Sequence, residues 1–125
     1  MKLGPDPSSQ LALSVLERAV LAVAGQRLGN ANEQWIAQCE ALRVVARSHS
    51  GVGFMTKLEV PASAPLLPDA AGRLLGAIRA RHPALSEPAE FLIQLKAGRL
   101  ATIEAFCGVG TWPADDQGFD FSVTR

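Results

Sequence analysis

Apolar residues recur at intervals of three and four from Leu13 through Leu16, Val20 and Val23, with Ser14, Glu17 and Arg18 on the opposite side. This spacing predicts a helix with one buried face and one wet face. Pro5 and Pro7 keep residues 1–8 extended, Ser8 or Ser9 supplies the N-cap, and Gly25 is the expected stop. Asn30, followed three residues later by Glu33, has the spacing of a capping box. Trp35, Ile36 and Cys39 then share the stripe of a second helix ending near Ala41. At Leu42 the period shortens. Leu42, Val44 and Ala46 alternate with Arg43, Val45 and Arg47; after a glycine-bearing turn over residues 48–53, Phe54, Thr56, Leu58 and Val60 alternate with Met55, Lys57 and Glu59. Two alternating runs joined by such a turn read as a β-hairpin.

Pro61, Pro65 and Pro68 end the hairpin and hold the next stretch extended on the surface. Residues 69–82 admit two readings. Asp69 can cap a helix carrying Leu74, Leu75 and Ile78, weakened by Gly72 and Gly76, or residues 77–81 can form a short strand. A second hairpin is clearer. Phe91, Ile93 and Leu95 alternate with Leu92, Gln94 and Lys96, Ala97-Gly98 makes the turn, and the return strand runs from Leu100 to Phe106 or Cys107. A two-residue turn sets Leu95 opposite Leu100 and Leu92 opposite Ile103, whereas a bulge at Gly98 would shift that register. Apolar pairs on both faces point to a central place in the sheet. Phe119, Phe121 and Val123 mark a last strand. The fold expected is α+β: an antiparallel sheet of five or six strands, with the N-terminal helices packed on one face.

The bulk properties narrow the function. The 125 residues make one domain, and 48% hydrophobic content is that of a soluble globular chain. Twelve basic and twelve acidic side chains cancel, so nucleic acid is not an expected partner. Cys39 and Cys107 are far apart and lack metal-ligand spacing, which fits a reducing, cytoplasmic compartment. The first apolar run is cut by Glu17 and Arg18, so neither a signal-peptide core nor a membrane span is expected.

Three segments carry a resemblance: GVGFMTKLEVP at 51–61, LLGAIRARHPAL at 74–85, and LKAGRLATIEAFCGVGTWP at 95–113. Together they resemble a group of small bacterial proteins of unknown function. In that group a G-x-G-F hairpin precedes a glycine–aliphatic segment, and a second hairpin turns at Asp-Gly and runs on to Trp-Pro. Here Ala97 replaces the Asp of the turn, and Ala77 stands where an acidic residue is often seen. The resemblance implies that 77–81 is a strand, and it implies no activity.

Candidate chemistry gathers late in the chain. Glu104 interrupts an apolar strand, where a core-facing carboxylate needs a partner such as Arg43, Arg47 or Arg99. Cys107 with His49 is the one thiol–base pairing worth naming, and no glycine-flanked nucleophile elbow accompanies it. His49 and His82 share no ligand pattern with the acids or thiols, so no metal and no cofactor is expected. The Gly-Val-Gly pieces at 51–53 and 108–110 lack the context of a phosphate loop and read as turns.

Trp112-Pro113, followed by Asp115 and Asp116, is the combination that suits contact with a partner, unless the indole folds back as a lid on the sheet. Between residues 104 and 120 there are four acids and no base, while Arg73, Arg79, Arg81 and His82 lie elsewhere in sequence, so a polarised molecule is expected.

The expected function is a non-enzymatic binding or interaction module that meets a protein partner or a small ligand through Glu104, Cys107, Trp112, Asp115 and Asp116. Toxin-neutralising immunity proteins include domains of this general kind. The competing expectation is a small hydrolase or transferase using Cys107 or Glu104. An uncovered sheet face presenting Val45, Met55, Leu92 and Ile103 would further favour a homodimer.

Overall fold

The computed structural model describes residues 12–69 and 71–122, apart from the side chains of Asn30, Arg73 and Leu74. Helix α1 (Val15–Gln26) starts at a capping box: Ser14 Oγ accepts the Glu17 N–H at 3.0 Å, and Glu17 Oε1 accepts the Ser14 N–H at 2.9 Å. The N-cap is therefore Ser14; the expected caps Ser8 and Ser9 and the extended segment 1–8 lie outside the described residues. Leu16, Val20, Leu21 and Ala24 are buried. Gly25 is not the stop, because α1 continues to Gln26 with Arg27 as C-cap. Its importance is steric. A Cβ at Gly25 would lie 2.8 Å from Trp35 Cδ1, so the missing side chain makes room for the indole, whose Nε1–H donates to Leu21 O at 2.9 Å.

Helix α2 (Asn32–Ala41) has Ala31 as its N-cap, with no side-chain cap. A single 3-10 turn, Gly29–Ala31, feeds the chain directly into the helix. The N-cap thus falls on Ala31, one residue past the Asn30 expected to open a box with Glu33.

Five strands follow: β1 (Arg43–Ser50), β2 (Gly53–Glu59), β3 (Ile78–Ala80), β4 (Ala89–Lys96) and β5 (Arg99–Phe106). They form one sheet in the order β1-β2-β5-β4-β3, every neighbouring pair antiparallel. This is the α+β fold the pattern predicts, with β5 at the centre. Residues 69–82 satisfy both readings in turn, as a five-residue helix α3 (Ala71–Leu75) leads into β3. The β1–β2 loop is tighter than expected, because the strands run to Ser50 and Gly53 and leave a two-residue turn. A Cβ on Gly53 would fall 1.8 Å from Ala105 O, so only glycine lets β2 approach β5 there.

Two bulges reset the faces of the sheet. In β1 the register passes from Val44↔Leu58 to Ala46↔Lys57, leaving Val45 extra. Beyond it Arg47 lies opposite Thr56 and His49 opposite Phe54, on the helix side, and Ala46 faces away. Strict alternation had assigned Arg47 and Ala46 the other way round. In the second hairpin Ala97 and Gly98 both take positive φ, 53° and 80°, as a two-residue turn requires. Leu95 pairs with Leu100 as expected, but Gln94 then pairs with Thr102. The extra residue, Ala101, puts Leu92 opposite Glu104 and Ile103 opposite Ile93.

Phe91 and Ile103 are fully buried against the helices, with Leu100, Ala105 and Leu58 beside them and Phe54 and Ile93 partly buried. Ile103 thus belongs to the core and not to the uncovered face. After β5 the chain returns to the helix side, where Trp112, Phe119 and Phe121 pack on the core. The expected strand at 119–123 reduces to one isolated bridge, Arg81↔Asp120, with Val123 outside the described residues. Asp120 Oδ1 accepts the Ser122 N–H at 2.9 Å, a side-chain bond two residues on that favours a turn over a continued strand. Among the described residues no helix is long and apolar enough to cross a membrane.

Candidate functional site

The β1 bulge creates the most polar feature of the interior. By turning Arg47 toward α1, it brings the guanidinium onto Glu17, which is fully buried. Arg47 Nη2 donates to Glu17 Oε1 at 2.6 Å and Arg47 Nε to Oε2 at 2.9 Å, a bidentate pair. The Thr56 hydroxyl donates to Oε2, and the Ser14 N–H donates to Oε1. Four donors thus occupy the roughly four lone-pair sites of a carboxylate. Burial alone pushes the Glu17 carboxyl upward, but the hydrogen bonds from Arg47, Thr56 and Ser14, with the Arg47 charge, bring it below its usual range. Helical spacing had placed Glu17 on the wet face. The one local signal to the contrary was Glu17 lying three residues after Ser14, the spacing of a capping box.

Above this network lies a cleft of about 490 Å³, bounded by the start of α1, the β1–β2 turn and residues 112–116. Phe54, Trp112 and Pro113 form its apolar wall, and His49, Ser50 and Asp116 its rim. The Trp112 N–H donates to Gly51 O, and the Cys107 N–H to Val52 O, both at 2.9 Å, so the 107–112 loop is hydrogen-bonded onto the hairpin turn. The indole meets Phe54 and Phe91 edge-on, with ring centroids 5.6 and 5.9 Å away, and stacks on Phe119 at 5.3 Å. Trp112 is half-buried. It caps the core and also lines the cleft.

The five expected site residues do not form one constellation. Trp112 and Asp116 line the cleft. Asp115 is turned into its own loop, where its carboxylate accepts the Gln117 N–H at 2.9 Å. Cys107 is buried, its thiol 3.8 Å from Gly110 O. Glu104 lies opposite Met55 and Leu92 on the face away from the helices. Of its expected partners, Arg43 pairs with Glu59 and Arg47 with Glu17. Facing outward, a carboxylate has no need of a buried cation.

The expected polarity is also corrected, since the fold sets the basic stretch beside the acidic one. Arg81 and Asp120 exchange backbone hydrogen bonds of 2.9 and 2.8 Å. His82 Nε2 lies 3.0 Å from Asp115 O and 2.9 Å from Gln117 O, and its Nδ1 accepts the Ala84 N–H at 3.0 Å. Carbonyl acceptors on one nitrogen and a donor on the other assign the neutral Nε2–H tautomer, which ties the acidic loop to the 82–85 turn.

A larger cavity appears where no site was expected. A groove of about 850 Å³ runs between α1 and α2 toward the start of β1, lined by Leu21, Trp35, Ile36, Cys39, Leu42 and Val44 among others. Its trace in the sequence is the low charge of α1, which carries only Glu17 and Arg18 over residues 15–26. Burial, reinforced by the negative charge of Glu40, pushes the Cys39 thiol up to about 11. Both cysteines are free. Among the described residues no group of three or more His, Cys, Asp or Glu is placed to hold a metal ion. Compared with known proteins, the chain matches no protein-family model, no curated protein and no solved structure.

Proposed function

We propose that the chain is a non-enzymatic binding module whose contact site is the cleft between α1, the β1–β2 turn and the Trp112 loop. Its occupant is a protein partner or a small ligand that offers an apolar or aromatic group to Phe54 and Trp112 and a positive charge to Asp116. The observation carrying this reading is the completed floor. A carboxylate with every lone pair engaged and held ionised by a bidentate Arg is a poor general acid or base, yet it makes a rigid base for a recognition surface. The competing hydrolase or transferase would need a second group beside Cys107 or Glu104. The Cys107 thiol meets a backbone carbonyl, and Glu104 lies on the opposite side of the sheet from the cleft. Action by contact alone is what immunity-like domains also do. Two unpaired cysteines accord with a reducing, cytoplasmic setting.

The test is NMR titration of the labelled protein with arylalkyl amines and short peptides that pair Arg with an aromatic residue. Shifts should cluster at Phe54, Trp112 and Asp116, and should disappear in Asp116→Lys with the fold intact by circular dichroism. Cys107→Ser and Glu104→Gln should leave them unchanged. Shifts that survive Asp116→Lys, or ester or amide hydrolysis that is lost in Cys107→Ser, would sink the proposal.

A further inference from the structure

The α1–α2 groove is a surface in need of a cover. An ordinary surface helix carries charge along its wet face, but the outward positions of α1 are Val15, Arg18, Ala22 and Gln26, and Val15 is 74% exposed. Across the groove, Ile36 of α2 is 47% exposed. The two walls also carry one charge of each sign that finds no ion-pair partner among the described residues. Among the described residues neither Arg18 nor Glu40 has an opposite charge within 4.0 Å, whereas Arg43 at the groove's end is already paired with Glu59. Because the link between the helices is short and Trp35 meets Leu21 and Gly25, α1 and α2 run antiparallel. One turn further from that link on each helix come Arg18 and Glu40, at about the same level on opposite walls.

We infer that the groove is the interface of a two-fold homodimer in which α1 of each copy lies over α2 of the other. An isologous interface must be its own complement. A two-fold axis along the groove meets that demand, since it carries the α1 wall onto the α2 wall at the same level. Arg18 of each protomer then faces Glu40 of its partner, twice per dimer, and each Ile36 enters the partner's groove above Ala22 and Leu21. The two helix pairs together make a four-helix layer between two sheets. This places self-association on the helix face and leaves the uncovered sheet face, with Met55, Leu92 and Glu104, in solvent. It is independent of the Trp112 cleft.

The experiment is sedimentation equilibrium over a concentration series on the full chain. The wild type should dimerise with a Kd in the micromolar range or tighter, as a groove-sized apolar contact with two flanking ion pairs allows. Ile36→Asp, at an exposed position that leaves the fold unchanged by circular dichroism, should weaken the dimer about 30-fold or more. Arg18→Glu and Glu40→Arg should each weaken it by roughly tenfold, and the double reversal should restore it, because the swapped charges face each other again. A chain that stays monomeric at about 100 µM overturns the inference. So does a dimer indifferent to Ile36→Asp but broken by Met55→Asp or Leu92→Asp, which would place the contact on the sheet face. Failure of the double reversal to recover affinity would remove the two-fold pairing of Arg18 with Glu40.

Discussion

Replacing Glu17 with Gln removes one charge from the middle of the polar network and leaves nearly everything else in place. Breaking a buried ion pair from one side costs about 3–5 kcal/mol, because the surviving charge is left uncompensated. The lower end applies here. The Arg47 side chain keeps 18% of its exposure and so reaches some water, and the Gln carbonyl can still accept two of the four hydrogen bonds. A loss of about 3 kcal/mol is a large share of the roughly 5–15 kcal/mol available to a domain of this size. It corresponds to a fall in Tm of about 10–15 °C.

The pH profile separates this explanation from simple loss of packing. The folded-state pKa of Glu17 is held below its usual 4.5. Its contribution is therefore complete above that value and is lost as the pH falls through the lower, folded-state value. Urea denaturation followed by circular dichroism should show wild type and Glu17→Gln well separated near neutrality and converging in strong acid. Equal stability near pH 7 would refute the reasoning, as would a gap that stays constant into strong acid. A wild type that gained stability on acidification would mean that burial outweighs the Arg47 and Thr56 hydrogen bonds. The apolar replacement Glu17→Leu, Arg47→Met and Thr56→Val together should lie within about 1 kcal/mol of wild type, since it strands no charge.

Three further outcomes follow from the packing. Gly25→Ala should destabilise by about 1–2 kcal/mol despite the better helix propensity of Ala, because its Cβ meets the Trp35 indole at 2.8 Å; a variant at least as stable as wild type in thermal melts would contradict that contact. Ala97→Asn should stabilise by about 0.5–1 kcal/mol, since Ala97 is held at φ 53° in a two-residue turn that favours Asn-Gly; an unchanged or lower urea midpoint would count against it. Trp112→Ala should cost about 3 kcal/mol, given its ring contacts with Phe54, Phe91 and Phe119, and a change below about 1 kcal/mol would show the indole to be an exposed anchor with no part in the core.

The elements were legible because each repeats a period over many residues. Phe54, Thr56, Leu58 and Val60 alternate without interruption, and Thr56, Leu58 and Val60 are buried with Phe54 partly so, as alternation requires. The turn at Ala97-Gly98 was legible for the same local reason. What the pattern could not show were events of a single residue. Val45 and Ala101 look like ordinary strand residues, and nothing in their side chains marks them as the extra residue of a bulge. Yet a bulge reverses every later position on its strand. Gly25 was misread because a glycine near a helix end is usually there for its backbone, whereas this one is there for the ring that lies across it.

The cleft was hidden by that same one-residue arithmetic. Its polar floor requires Arg47 on the helix side, and strict alternation from Val44 puts Arg47 outside. With Arg47 outside, a buried Glu17 would be an uncompensated charge, so the reading that left Glu17 in water was consistent with itself. The bulge reverses both assignments at once, because each charge is tolerable inside only if the other is there. This mutual dependence explains why the acidic loop drew attention while its partners on α1 and β1 did not. Trp112, Pro113 and Asp116 are adjacent in sequence, whereas Glu17, Arg47 and Thr56 meet only after the helix, the bulged strand and its neighbour have packed. A deletion of Val45 should therefore remove the bulge without disturbing the network, because Val44 stays opposite Leu58, Ala46 opposite Lys57 and Arg47 opposite Thr56 once the extra residue is gone. Urea denaturation should place the variant within about 1 kcal/mol of wild type, with the same loss of stability in acid; a loss as large as that of Glu17→Gln would mean that the bulge itself, and not the register it sets, holds Arg47 on Glu17.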